Sequence, residues 1–278
     1  MKVHRHENAR DFLNQSQAWL LESEPENNLM FGIARRSAEG ELGFESDEYW
    51  ATIFDGDKIV GTAFRTPPHH LAVSEMPLTA ISPLAGAVAD AYPDLSGVSG
   101  PVTVAEPFAR HWTAQRGGTW RTKFTQNIHV LRSVSPVGDL PPGALRQMEA
   151  ADEALILEWM DGFVRDTGIT APAARFTPPL LARRAFYLWE DSEPRSIVSQ
   201  GRDSPNGACI NAVYTPPQFR ERGYATAAVI AMSESILAAG REFCCLYTDV
   251  NNPTSNSIYR RIGYFPIRKD VEIVFECE

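Results

Sequence analysis

No stretch of the 278 residues approaches the roughly 20 consecutive apolar residues that cross a bilayer. The longest candidate, Tyr224 to Met232, stops at Ser233 and Glu234. The opening residues, Met1 to Leu13, carry no apolar segment of the kind a secretory signal needs. Basic charge is scarce: 26 Lys and Arg stand against 35 Asp and Glu, a formal net charge of -9. A whole-chain footprint for nucleic acid is therefore missing. Cysteine is also scarce. Of the four, Cys209, Cys244, Cys245 and Cys277, no pair has metal-ligand or CxxC spacing. These absences predict a soluble, cytoplasmic protein whose thiols stay reduced, with no membrane and no nucleic-acid partner.

Chemical signatures are missing too. There is no HExxH helix, no GxSxG elbow, no GxxxxGK[ST] loop and no GxGxxG fingerprint. His4, His6, His69 and His70 have no accompanying cluster of Cys or carboxylates, so no metal is expected. The six tryptophans are scattered along the chain, which suits packing better than a platform for stacked bases. Cys244 and Cys245 are neighbours in an apolar run, so one of them should face a core as a small hydrophobe.

What is present is a well-patterned globular chain, 44% hydrophobic, long enough for one large domain or two of ordinary size. Residues 49–66 read as a hairpin about Asp55-Gly56-Asp57. A short strand follows in 70–76, then a helix bounded by Pro77 and Pro93. A second helix around 106–118 has Pro107 in its first turn, and a long strand covers 120–134. Prolines and glycines cluster at 135–143, the expected linker between a first domain at 1–134 and a second at 144–278. The second half starts again. Leu155, Ile156, Trp159, Met160 and Phe163 share one helix face that Gly168 closes. Strands are expected at 186–190, 195–202 and 207–215, a helix over 221–240, a strand over 243–250, a helix to Gly263 and a final strand. The order of elements in the two halves matches, which suggests an internal duplication.

The stretch after the third of these strands carries the chemistry. Val213 and Tyr214 lead through two prolines to Arg220, Glu221, Arg222 and Gly223, then to the helix that opens with Tyr224, Ala225 and Thr226. The first amides of a helix lack internal acceptors, and the dipole adds about half a positive charge there. Gly223 lets the backbone approach a bulky anion. Arg220 and Arg222 can add charge-assisted contacts to phosphate oxygens. A capped surface helix with solvated arginines would read the same way.

Three consecutive pieces decide between these readings. The strand ending Asn211-Ala212-Val213-Tyr214 runs into Gln218–Ala225. The helix after it is followed by the strand 243–250. Then Asn252, Ser255 and Tyr259 fit the spacing Asn-x-x-(Ala/Ser)-x-x-x-Tyr before Gly263-Tyr264. In this the chain resembles the GNAT superfamily of acyl-coenzyme-A-dependent N-acyltransferases. The resemblance implies a mixed sheet of the α/β (α+β) class, with two similar units in tandem. It implies acetyl-coenzyme A as acyl donor, its pantetheine arm at Val213 and Tyr214, and its pyrophosphate on the amides from Glu221 to Thr226. The acceptor would be the amine of a small molecule or peptide.

Tyr259 holds the place of a tyrosine that lies beside the acyl sulfur in that family. A phenol of pKa about 10 can protonate a departing thiolate of pKa about 8.5. Packing of the last helix onto the sheet is its other role. Asn252 and Asn256 could bond the pantetheine amides or cap the helix, and the roles can coexist. The base for the amine is unidentified; Asp249, Glu190 and Glu234 are weak candidates. The first half lacks the Arg-x-x-Gly loop, and Pro77 and Pro83 obstruct an amide cradle, so a degenerate partner domain is expected there. A sensor or interaction module that binds acyl-coenzyme A without turnover is the competing reading.

Overall fold

The computed structural model describes residues 1–42, 48–169 and 171–276. Cys277 lies outside them. Along the chain the order β1 (Lys2–His6), α1 (Ala9–Glu22), α2 (Glu24–Ala38), β2 (Tyr49–Asp55), β3 (Lys58–Arg65), β4 (Leu71–Val73), α3 (Ile81–Ala91), β5 (Gly97–Pro101), α4 (Val102–Arg116), β6 (Thr119–Leu131) is followed by its repeat. The repeat is β7 (Ala144–Gln147), α5 (Glu153–Thr167), α6 (Ala173–Ala182), β8 (Phe186–Asp191), β9 (Glu193–Asp203), β10 (Gly207–Tyr214), α7 (Tyr224–Ala238), β11 (Phe243–Asp249), α8 (Pro253–Ile262) and β12 (Phe265–Glu276). The type of every element recurs in the same place, which is the tandem α/β arrangement expected from the sequence.

The chain forms two compact units that interleave in sequence. Unit 1 comprises 1–128, 249–251 and 266–278; unit 2 comprises 129–248 and 252–265. In unit 1 the strands lie in the order β1-β2-β3-β4-β5-β12-β6. β2 shows why this sheet is covered on both faces. Tyr49, Ala51 and Ile53 are fully buried in the core under α3 and α4, while the intervening Trp50 enters the core of α1 and α2. Successive side chains of a strand point to opposite faces, so an unbroken apolar run means two apolar layers. Asn8 caps α1 by accepting the Asp11 amide at 2.9 Å.

Unit 2 has the order β11-β10-β9-β8-β7. Here α5 and α6 bury Ile156, Trp159 and Met160 against Phe186 and Leu188. On the other face α7 and α8 cover Ala208, Ile210, Cys244 and Leu246. Cys244 thus enters a core, and Cys245 points the other way, also buried. Gly168 closes α5 in the left-handed conformation, φ 69°. The segment 133–143 belongs to this unit and is seated on it: Ser135 N donates to Ile262 O at 2.8 Å, and Trp189 Nε1 to Pro142 O at 3.1 Å.

One expectation about local structure fails. Pro107 sits inside α4, which begins at Val102. The amide that Pro107 lacks would have bonded Thr103 O, so α4 forgoes one backbone bond there and is held by the burial of Phe108, Ala109 and Trp112.

Candidate active site

In unit 2, β10 and β11 run parallel and pair at Gly207–Phe243, Ala208–Cys244 and Cys209–Cys245. The ladder then ends, although β10 continues to Tyr214 and β11 to Asp249. The register of β10 on β9 shifts between Asn211 and Tyr214, and Ala212 takes φ 46°. This bulge turns the end of β10 and leaves its edge toward β11 without a strand partner, so backbone groups near Val213 are available to an extended ligand. The Tyr214 carbonyl is already used, accepting from Ser196 Oγ at 3.0 Å. The Tyr214 ring is buried against α5, where a Cβ on Gly162 would lie 2.4 Å from its hydroxyl.

Beyond β10 a single turn at Pro217–Phe219 leads into the loop 220–223. Glu221 has φ 62° and Gly223 has φ 82°. Alternation of left- and right-handed residues turns successive N–H groups to one side, the geometry of an anion-binding nest. The first bond of α7 is Ala227 N to Gly223 O at 2.9 Å. The amides of Tyr224, Ala225 and Thr226 therefore have no acceptor inside the helix. A side chain at Gly223 would be strained by its φ and would meet Pro141 Cδ at 3.3 Å.

The side chains of the loop behave differently from one another. Arg220 is turned back: Nε donates to Thr215 O at 2.9 Å, Nη2 pairs with Asp166, and the guanidinium lies 5.7 Å from the Tyr214 ring centroid. Arg222 is exposed. The Tyr224 hydroxyl donates to Asp191 Oδ2 at 2.9 Å, which raises its pKa. A cation that the pattern did not flag stands close by. Arg261, from the last turn of α8, places Nη2 3.4 Å from Thr226 Oγ1 in the first turn of α7. Its only sequence signal is a basic residue at a helix C-terminus, which the helix dipole alone explains.

At the start of α8, Asn252 caps the helix, its Oδ1 accepting the Ser255 amide at 3.0 Å. Asn256 Nδ2 donates to Asn252 O at 2.8 Å, and Asn256 Oδ1 accepts from Thr248 Oγ1 at 2.7 Å. Thr248 in turn lies 3.4 Å from Nδ1 of the buried His129. This chain of polar groups, with His129 at its far end, was not visible in the sequence. Asp249 caps the turn after β11 by accepting the Asn251 amide at 2.8 Å, and Glu190 pairs with Arg146 at 2.5 Å.

Tyr259 is 9% exposed and packs edge-to-face on Tyr264, ring centroids 5.9 Å apart. Burial pushes its pKa well above the usual phenol value. The Tyr264 hydroxyl is bound to Ser233 Oγ at 2.8 Å. The Tyr259 hydroxyl makes no hydrogen bond to another described residue. On the opposite face, the hydrogen bond from Cys245 and the nearby Arg202, whose Nη2 lies 3.5 Å away, lower the Cys209 thiol below its ordinary value.

Comparison with known proteins bears on the fold that carries this site. Residues 195–273 match the family described as FR47-like protein. A GNAT-family acetyltransferase from Colwellia psychrerythraea aligns over all of both chains at 12% identity, TM-score 0.57. A GCN5-related N-acetyltransferase from Sphaerobacter thermophilus aligns at 16% identity and TM-score 0.61, covering 87% of this chain and 85% of its own. A tandem GNAT protein from the clavulanic acid biosynthesis pathway aligns at 11% identity and TM-score 0.55, covering 99% and 98%. No curated protein matches in sequence.

Proposed function

The chain has the tandem GNAT acetyltransferase fold, and from that fold we propose that the second repeat, 144–278, is an N-acetyltransferase. It transfers the acetyl group of acetyl-coenzyme A directly to the amine of a small molecule or peptide. The observation that carries this reading is the nest at 221–223 opening onto three unbonded amides of α7, next to the free end of β10. The fit is one of backbone: the amides from Glu221 to Thr226 would hold the pyrophosphate, with Arg222 adding charge, and Val213 would pair with the pantetheine arm. Asn252 caps α8 and Asn256 bonds back to its carbonyl, and both would present the start of α8 to that arm. Arg220 would act indirectly, by holding the loop against Asp166. Acetyl-coenzyme A supplies the activated thioester.

The chain's own part in the chemistry is positioning and one proton. Tyr259 stays protonated because burial disfavours its phenolate, and its hydroxyl bonds no other described residue. It would donate that proton to the sulfur that leaves as the amine nitrogen bonds to the acyl carbon. The amine's surplus proton returns through solvent, which restores Tyr259. No metal enters this scheme. A cytoplasmic location is proposed with it, since cysteines such as Cys244 and Cys245 persist as thiols in that compartment.

The test is calorimetry with acetyl-coenzyme A, followed by thiol release with a panel of amines. One site per chain and amine-dependent thiol release are expected. Absence of cofactor binding would overturn the assignment, and binding without turnover on any amine would favour a sensor.

A further inference from the structure

Unit 1 contains a cavity of about 180 Å³ between α2, β4, β5, β6 and β12. That is several times the room one water needs. Its apolar wall includes Phe64 and Ala72, both buried and on the α2 side of the sheet. Its polar wall has an unusual property. Asn27 is only 6% exposed; it gives its amide to Leu20 O at 3.1 Å, and its Oδ1 has no partner among the described residues. Ser99 and Gln126 line the same space, and their side chains make no hydrogen bond to another described residue. Ser99 and Gln126 are half-buried, so their polar atoms, like Asn27 Oδ1, are open to the cavity and can meet a ligand.

The charges at the cavity are unequal. Asp270 is held by both nitrogens of the Arg268 fork, at 2.7 and 2.9 Å. Glu272 is paired with Lys123 at 2.8 Å and His70 at 3.3 Å. Glu26 has no cation within ion-pair distance among the described residues. One carboxylate thus faces the cavity without compensation. Its place in the first turn of α2 suits the helix dipole, but the dipole asks nothing of Asn27, Ser99 or Gln126.

We infer that this cavity is a second ligand site, for a small organic ammonium compound with a short aliphatic stem and a hydrogen-bonding tail. Glu26 pairs with the ammonium, Asn27 Oδ1 accepts from it, Phe64 and Ala72 enclose the stem, and Ser99 and Gln126 meet the tail. The site is independent of acyl transfer in unit 2.

The test is calorimetric titration of the full chain with 4-amino-1-butanol, and with neutral 1,5-pentanediol in parallel. Saturable binding of the amine at one site is expected, with the diol at least about tenfold weaker. Glu26→Gln removes the charge and Ser99→Val fills the space; each should weaken the amine about tenfold or more and leave acetyl-coenzyme A affinity unchanged. No saturable binding below ~10 mM, equal binding of the diol, or full affinity in both variants would overturn the site. Full affinity in the variants would place any bound amine in unit 2 instead.

Discussion

The connection from β4 to β5 in unit 1 and that from β10 to β11 in unit 2 are counterparts in the repeat, yet they present opposite surfaces to an anion. In unit 2 the path contains two residues of positive φ, Glu221 and Gly223, and α7 opens with three amides free of helical acceptors. In unit 1 a turn at Leu78–Ala80 precedes α3; Ala80 N is spent on Pro77 O at 2.9 Å, and Ile81 N on Leu78 O. Pro83 removes another amide from the first turn. No residue from 74 to 83 has positive φ. The same element order therefore yields one loop of the kind proposed to hold the pyrophosphate, not two. The largest expected effect follows: Gly223→Val should raise the acetyl-coenzyme A dissociation constant by about 100-fold or more, since a β-branched residue resists φ above zero. Calorimetry should give one site for the parent. Two sites per chain would break the comparison outright.

The counterpart helices α4 and α8 differ in the same sense. α8 carries Tyr259 where α4 has core residues such as Phe108 and Trp112, fully or nearly buried. Tyr259→Phe keeps the ring and its packing on Tyr264 while removing the hydroxyl. A fall in kcat of about 10- to 100-fold is expected, with cofactor affinity within about twofold of the parent. Unchanged kcat would reduce Tyr259 to a packing residue.

Much of this was readable from local pattern. The hairpin at Asp55-Gly56-Asp57, the stop at Gly168 and the loop before α7 depend on residues close in sequence. Gly223 does take the left-handed conformation that the anion reading needs. What escaped depends on distant partners. Arg220 turns away from the loop because Asp166, on α5, is there to receive it. Arg261 reaches Thr226 only because α8 and α7 pack side by side, and His129 meets Thr248 across 119 residues. Strand pattern announces β12 without naming its neighbours, so its place between β5 and β6 was also hidden. The cavity of unit 1 is a property of assembled walls, and no single motif encodes it.

Electrostatics offers a smaller and sharper contrast within the folded state. The hydrogen bond from His70, then that from Lys123, hold Glu272 of unit 1 down to about 2 from its ordinary 4.5. In unit 2 the Arg146 fork lowers Asp152. Both folded pKa values are depressed, so each contribution is present above the unfolded value and is lost as pH falls toward the folded one. Urea midpoints of Glu272→Gln should thus lie below the parent's at pH 7 and converge with it between about pH 4.5 and 2. Asp152→Asn should converge in the same direction. A gap that stays constant with pH would mean that packing, not charge, is responsible.

The smallest effect tests the edge of the cradle. Arg261 is exposed, and its guanidinium stands at the first turn of α7 beside Thr226. A charge in water next to a phosphate adds little, about 0.3–1 kcal/mol, and salt screens it. Arg261→Ala should weaken acetyl-coenzyme A by about two- to fivefold at low ionic strength, and the loss should shrink as salt is raised. Dephospho-coenzyme A, with one phosphate fewer, distinguishes two placements. If the deficit of the variant persists with this ligand, Arg261 acts on the pyrophosphate at the helix mouth. If the deficit vanishes, it acts on the phosphate of the ribose, and the cradle itself is built from backbone alone. A loss that is independent of salt would count against any direct charge contact, and would leave Arg261 as the fastener between α8 and α7.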